Sequence, residues 1–168
     1  MERPTRLRPH DPAGLAQNSV GRVLLSQQGN VIVMHALYKK ADELSKVVVE
    51  AAIEVHRHFG DGLLESIYVK ALAQELAVRG HRTAEEVPCT IAYKGRVWTE
   101  QLRADLIVDD CLVVEAKAVA PCDLQRFRMQ LLSYLKLLDR PLGLVINFGE
   151  STLGKRAIRR VILKGADT

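Results

Sequence analysis

The chain has 168 residues, 48% of them hydrophobic and 26% charged, which are the proportions of one globular domain with its own core. No apolar run approaches the roughly 20 residues needed to cross a bilayer, and the basic N-terminus lacks the apolar segment of a secretory signal. We therefore expect a cytoplasmic protein with no membrane association. The three cysteines show no CxxC or Cys/His spacing, which argues against structural zinc and a disulfide framework.

The net charge of +4 is unevenly distributed along the chain. Residues 1–40 carry the whole positive excess, whereas residues 41–168 hold equal numbers of acidic and basic residues. The first 33 residues show no clean helical or strand period, and they are rich in Pro, Gly, Gln and Asn. These features predict a loosely ordered basic arm over residues 1–40 and a single domain over residues 41–168. Because the arm supplies the excess charge, the high pI is weak evidence for nucleic-acid binding.

Two helices are predicted at the start of the domain. Apolar residues recur every three or four positions from Leu44 to Phe59, which is the spacing of an amphipathic helix, and a Gly-Asp-Gly segment ends it. A second helix is predicted from about Leu63 to Arg79, just before Gly80. Together they form a helical hairpin.

Strand patterns follow the helical hairpin. The segment EVPCTIAYKGRVWTEQL is typical of two strands joined at Lys94-Gly95. The next segment, RADLIVDDCLVVEAKAV, adds two more around Asp109-Asp110. We thus expect three to four strands here.

The last part of the chain completes an α/β pattern. A helix is predicted over about residues 123–138, and LGLVINF is a short apolar run typical of a strand covered on both faces. The tail, residues 151–164, is predicted to close the domain as either a helix or a strand. The order of helix, helix, strands, helix and strand predicts a mixed β-sheet flanked by helices.

Three charged residues stand inside the apolar strand runs. Side chains alternate across a strand, so Glu115 and Lys117 project from the same face. Asp105 lies nearly level with Glu115 if the strands pair across the Asp109-Asp110 turn. Two adjacent carboxylates repel each other unless a positive group lies between them, which a divalent cation such as Mg²⁺ would provide. The structural alternative is that Lys117 simply pairs with one of these acids at a sheet edge.

Further polar residues are candidates for the same site. Glu65 lies in the first turn of the second helix, where the helix dipole alone also favours a carboxylate. Gln130 and Tyr134 are four residues apart and share a helix face, with Arg126 one turn earlier. These three are interpreted either as contacts to a substrate backbone or as an ordinary polar boundary.

The chain resembles the GxxExxY protein family. The resemblance rests on GLLESIY (residues 62–68), RADLIVDDCLVVEAKAV, QLLSYLKLL and LGLVINF, in that order. The family is assigned to the PD-(D/E)XK nuclease-like superfamily, so the resemblance implies its core fold and a metal-dependent phosphodiesterase site. It assigns Asp105 as the first acid, Glu115 and Lys117 as the E-x-K motif, and Glu65 as the acid from the opening helices.

The same resemblance implies that Gln130 and Tyr134 form the family's Q-x-x-x-Y pair. Two departures are visible. Asp61 stands where the family usually has proline, and Phe127-Arg128-Met129 replaces a common His-Glu-Ala run. The second change removes an accessory histidine and leaves the role of that position open.

Three hypotheses of function follow. The leading one is a nuclease that uses Mg²⁺ or Mn²⁺, bound by Asp105, Glu115 and Glu65, to hydrolyse phosphodiester bonds of DNA or RNA. Catalysis would involve Lys117, with Gln130, Tyr134 and Arg126 contacting the substrate; two copies of the chain would pair if both strands are cut. The second is a non-catalytic nucleic-acid-binding or regulatory module with the same fold. The third treats the charges as an ion-pair network in an interaction scaffold.

Overall fold

Three helices and seven strands follow one another in the part of the chain that the computed structural model describes, residues 22–27, 30–120 and 123–167. In chain order they are β1 (Arg22–Gln27), β2 (Asn30–His35), α1 (Tyr38–Phe59), α2 (Glu65–Val78), β3 (Thr83–Tyr93), β4 (Arg96–Val108), β5 (Leu112–Lys117), α3 (Leu124–Leu137), β6 (Leu142–Asn147) and β7 (Ile158–Ile162). None of these helices is long and apolar enough to span a membrane.

Strands β3 to β7 form one mixed sheet in the order β3-β4-β5-β6-β7. Only β5 and β6 run parallel, and α3 provides the crossover between them, while the other neighbours are antiparallel. The two parallel strands are buried along their whole length, which explains their nearly uninterrupted apolar sequences. The predicted fold, a mixed sheet flanked by helices, is confirmed.

The helices cover the two faces of this sheet. One core lies between the sheet and helices α1 and α2 and includes Leu106 and Val114, whereas a second lies under α3 and includes Ile107 and Val113. Because side chains alternate across a strand, Glu115 follows Val113 onto the α3 side. The E-x-K motif is therefore directed toward α3.

The sequence leaves open the number of strands before α3 and the form of the C-terminal tail, and the structure decides both. The three to four strands predicted before α3 are three, because strand β4 is continuous over Arg96–Val108. No glycine, proline or asparagine interrupts it, so nothing in the chain forces a turn there. The tail, which the sequence predicts as either a helix or a strand, adds β7 antiparallel to β6.

The stretch predicted as a loose arm contains regular structure in its described portion. Strands β1 and β2 pair antiparallel as a separate two-stranded sheet, from Arg22 opposite His35 to Gln27 opposite Asn30. The backbone N–H of His35 donates to the carbonyl oxygen of Ala166 at 3.1 Å, which joins the end of β2 to the C-terminal segment. Residues 1–21 lie outside the described residues.

Candidate active site

The E-x-K motif is held at the end of the central strand β5. Glu115 is 1% exposed and Lys117 is 9% exposed, and the Lys117 Nζ lies 2.8 Å from the Glu115 Oε1. The alternation predicted from the sequence thus places both side chains on one face. A buried carboxylate needs such a partner, because an unpaired charge in the interior costs several kcal/mol, on the order of the desolvation of an ion.

Asp105 joins this pair from the neighbouring strand. Strands β4 and β5 pair from Val108 opposite Leu112 to Leu106 opposite Val114, and Asp105 comes directly before Leu106 on β4. Its Oδ2 accepts a hydrogen bond from the backbone N–H of Ala116 at 2.8 Å and lies 3.8 Å from the Lys117 Nζ. The side chain of Asp105 is thus anchored to β5 beside the motif, as the pairing across the turn predicts.

Glu65 reaches the same ammonium group from the other side of the domain. It is the first residue of α2, and its Oε1 lies 3.3 Å from the Lys117 Nζ. The preceding Leu64 is extended, so the helix begins abruptly and presents Glu65 at its positive end. Three carboxylates from three separate elements therefore surround one lysine.

Tyr68 holds the loop that delivers Glu65. Its hydroxyl donates to the carbonyl oxygen of Gly60 at 2.7 Å and accepts from the backbone N–H of Leu63 at 3.2 Å. Its ring is fully buried and stacks on Phe148 with centroids 4.6 Å apart. The tyrosine of the GLLESIY segment is thus a positioning residue, a role that its one-turn spacing from Glu65 could have suggested.

Replacing Tyr68 by phenylalanine is expected to lower the free energy of unfolding by about 1–2 kcal/mol, because two hydrogen bonds in a buried setting are lost. Chemical denaturation of the variant measures this cost. Tyr38→Phe, which removes a hydroxyl that accepts a hydrogen bond from the exposed Arg160, is the control and should change stability far less. Equal stability of both variants would contradict a role for the Tyr68 hydroxyl in fixing the loop.

Asn147 fixes the chain just after Lys117. It is fully buried and level with Lys117 across the parallel β5–β6 pair. Its Oδ1 accepts from the backbone N–H groups of Val119 at 3.0 Å and Gly149 at 3.2 Å, and its Nδ2 donates to the carbonyl oxygen of Val119 at 2.8 Å. A Cβ at Gly149 would lie 2.5 Å from the Val119 nitrogen, so only glycine permits this approach. The sequence pattern gives no signal for this clamp, since Asn147 stands near the end of an apolar strand run.

The residues of helix α3 that border the site differ in burial and in their contacts. The Gln130 Nε2 donates to the Tyr134 hydroxyl at 2.8 Å, so the predicted pair does share a face, but Tyr134 is only 2% exposed. Arg126 is exposed, and within the described residues its side chain forms no salt bridge that draws it to the carboxylates. Phe127, in the segment that departs from the family pattern, instead lies with its ring centroid 5.4 Å from the Lys117 Nζ.

Burial and crowding set the electrostatics of the cluster. Burial, followed by the nearby charge of Asp105, raises the pKa of Glu115 to about 7 despite the opposing effect of Lys117. Burial also raises the pKa of Asp105, against the lowering effects of Lys117 and the Ala116 N–H. For Lys117, burial acts to lower the pKa, but the surrounding carboxylates outweigh it and the pKa is raised. Three acids thus share one cation, which leaves the site with excess negative charge.

Glu86 is a further acid that the sequence analysis missed. It raises the pKa of Asp105, so its charge is felt at the site. The pairing of Glu85 with Leu106 and of Val87 with Ala104 brackets Glu86 and Asp105, which stand opposite each other without forming a regular pair. Glu86 has a positive φ of 51°, which is unusual for a non-glycine residue within a strand. The sequence around Glu86 gives no signal that its side chain lies near the site.

The donor atoms suit a hard divalent cation. They are carboxylate oxygens, and the buried Oε2 of Glu115 has no hydrogen-bond partner among the described residues. As placed, the acids gather around Lys117, and the described part of the chain contains no group of three or more His, Cys, Asp or Glu side chains arranged to hold a metal. Mg²⁺, however, typically takes only one or two carboxylates together with water and substrate oxygens. Asp105 and Glu115 fit that requirement.

Comparison with known proteins identifies the class. The family model described as the PD-(D/E)XK nuclease superfamily matches residues 42–161, and the chain belongs to this superfamily. The narrower GxxExxY assignment stays a prediction. No curated protein matches the chain. Among solved structures, one titled "Crystal structure of SSO0001" aligns at 17% identity with a TM-score of 0.38, covering 71% of this chain and 78% of that chain. So distant a likeness carries no argument about function.

Proposed function

We propose that the protein is a divalent-metal-dependent nuclease that hydrolyses phosphodiester bonds in DNA or RNA. The observation that supports this most strongly is the convergence of Glu65, Asp105 and Glu115 on Lys117, with one oxygen of each carboxylate within 3.8 Å of the ammonium nitrogen. Such a crowd of like charges costs stability, and active sites are where clusters of titratable groups with shifted pKa values concentrate. Membership of the nuclease superfamily points to the same reaction class.

Each side chain has a distinct role in this proposal. Asp105 and Glu115 would hold Mg²⁺ or Mn²⁺, with Glu65 assisting from α2, and the bound cation would supply Lewis-acid polarisation of the phosphate. Lys117, kept protonated by its acidic neighbours, orients the attacking water and stabilises negative charge that builds on the phosphate oxygens. The exposed Arg126 and the half-buried Gln130 would contact the substrate backbone, whereas Tyr134, which is buried, would hold the Gln130 side chain rather than touch substrate.

A cleavage assay tests the proposal. We expect wild-type protein to cut at least one of single-stranded DNA, duplex DNA and RNA with Mg²⁺ or Mn²⁺, and chelation to stop it. Asp105→Asn should reduce the rate by about 100-fold or more, because it removes a cation ligand. Glu43→Gln, an exposed acid on α1, is the matched control and should leave the rate unchanged.

Two outcomes would overturn the nuclease proposal. Cleavage that survives in Asp105→Asn would indicate a contaminating enzyme or another site. Metal-independent association with nucleic acid and no cleavage by wild type would favour the non-catalytic binding module.

A further inference from the structure

The β3–β4 hairpin projects from the end of the sheet at which the carboxylate cluster lies. Strand β5 runs away from the Asp109-Asp110 turn and ends at Lys117, and β4 pairs with it only over Leu106–Val108. The earlier part of β4, Arg96–Asp105, therefore extends past the paired segment in the direction of Lys117. At about 3.3 Å per residue, the tip of the hairpin lies roughly 20 Å or more beyond the site.

The tip of this hairpin is basic and aromatic. Residues 87–99 contain Lys94 and Arg96 but no acidic residue, in a domain whose acidic and basic residues are equal in number overall. Tyr93 is 62% exposed and Trp98 is 40% exposed. These two aromatic residues, together with Lys94, Arg96 and Val97, line an open hollow of about 590 Å³.

The strand register places both aromatic rings and Arg96 on one face of the hairpin. Tyr93 stands opposite Arg96, and Ile91 stands opposite Trp98, so the four side chains project to the same side of the ribbon. The Lys94 Nζ lies 5.4 Å from the centroid of the Tyr93 ring. Two cations and two aromatic rings therefore lie together at the tip. This combination suits unpaired nucleotides, because phosphates contact the cations and bases stack on the rings.

We propose that this hairpin tip binds an unpaired nucleic-acid strand that enters or leaves the carboxylate site. This deepens the proposed nuclease function and rests on it. The carboxylate site is itself rich in negative charge, so a polyanionic substrate must be held by cations elsewhere. Lys94 and Arg96 supply that charge beyond the end of the sheet at which Lys117 lies.

Trp98 makes the test direct, because it is the single tryptophan of the chain. A single-stranded oligonucleotide, titrated in the presence of a chelator so that nothing is cut, should quench its fluorescence. Lys94→Ala/Arg96→Ala should weaken binding about tenfold or more at low salt and reduce the salt dependence of the affinity by about two ion-release equivalents. Trp98→Ala has no tryptophan, so its binding is followed by the fluorescence anisotropy of a labelled oligonucleotide; it should weaken binding about tenfold through lost stacking.

The matched control is Lys39→Ala/Lys46→Ala, which removes two exposed charges from α1. It should bind as wild type does. In a cleavage assay with Mn²⁺, the hairpin variant should raise KM while leaving kcat unchanged, because the groups it removes lie far from the reacting phosphate.

The possible failures separate the two proposals. Unchanged affinity in Lys94→Ala/Arg96→Ala, with cleavage still lost in a variant of the carboxylate site, overturns the hairpin proposal alone. Preference of the hairpin for duplex over unpaired strands also overturns it. A change of molecular mass in the hairpin variant would reassign the tip to contact between copies of the chain. Absence of both binding and cleavage in wild type would overturn the nuclease proposal as well.

Discussion

Replacing Lys117 by methionine is expected to reduce the rate of nucleic-acid cleavage by about 100-fold or more. The same variant should bind a divalent cation as tightly as wild type or more tightly. Methionine keeps most of the aliphatic volume of the side chain and removes only the ammonium group. The three carboxylates then lose the cation they share, so their repulsion increases and a divalent ion gains more by binding among them. A catalytic lysine and a cation site are thereby separated in one variant.

Stability supplies a second readout for the same variant. Removing one partner of a buried ion cluster typically costs about 3–5 kcal/mol, so metal-free Lys117→Met should unfold at a lower temperature near neutral pH. Mg²⁺ or Mn²⁺ should restore much of that loss, since an ion that binds only the folded state stabilises it by mass action. Calorimetric titration and thermal unfolding, each with and without metal, measure both effects.

Lys136→Met is the appropriate control, because Lys136 is an exposed lysine in the last turn of α3. It should cleave and unfold as wild type does. If Lys117→Met is destabilised and added metal changes nothing, the cluster is an ion-pair network in a scaffold, and the nuclease proposal is wrong.

Glu115→Gln is expected to remove a decrease in the free energy of unfolding that the wild-type protein shows as the pH rises. In the folded protein the pKa of Glu115 is raised to about 7, above its ordinary value of 4.5. The folded state therefore binds more protons than the unfolded state between these values, and the contribution of Glu115 to wild-type stability falls as the pH rises through this window. Glutamine cannot ionise, so the variant lacks that fall.

The measurable quantity is the difference in free energy of unfolding between Glu115→Gln and wild type in metal-free buffer. It should shift in favour of the variant by on the order of 2–3 kcal/mol between about pH 5 and about pH 8. Denaturant titrations across this range give the difference directly. The same variant should lose cation binding and cleavage, because a ligand carboxylate has been removed.

Glu43→Gln again serves as the control, since the exposed carboxylate it removes should leave the pH dependence as in wild type. If the difference in free energy of unfolding between Glu115→Gln and wild type is the same at all pH values, burial does not raise the pKa of Glu115 to about 7. Variant stability that falls faster with pH than that of wild type would reverse the sign and contradict the electrostatic account.

Much of the fold and the centre of the site could be predicted from the sequence, because local periodicity governs them. The apolar spacing of α1 and the alternation along β5 depend only on helix and strand geometry. For the same reason Glu115 and Lys117 had to share a face, and the short turn before β5 was enough to place Asp105 beside them. These relations involve residues close together in the chain.

Contacts between distant segments were decided only by tertiary packing. Glu65 lies 52 residues from Lys117, and nothing in the period of either segment determines that α2 begins where β5 ends. The Tyr68 hydrogen bonds to the loop, the Asn147 clamp on Val119 and the position of Glu86 opposite Asp105 depend on how helices and strands meet at one end of the sheet. Local sequence establishes which chemical groups each element carries and toward which face they project. Packing decided which elements meet, because the distance between two segments in space is set by the whole core rather than by either segment alone.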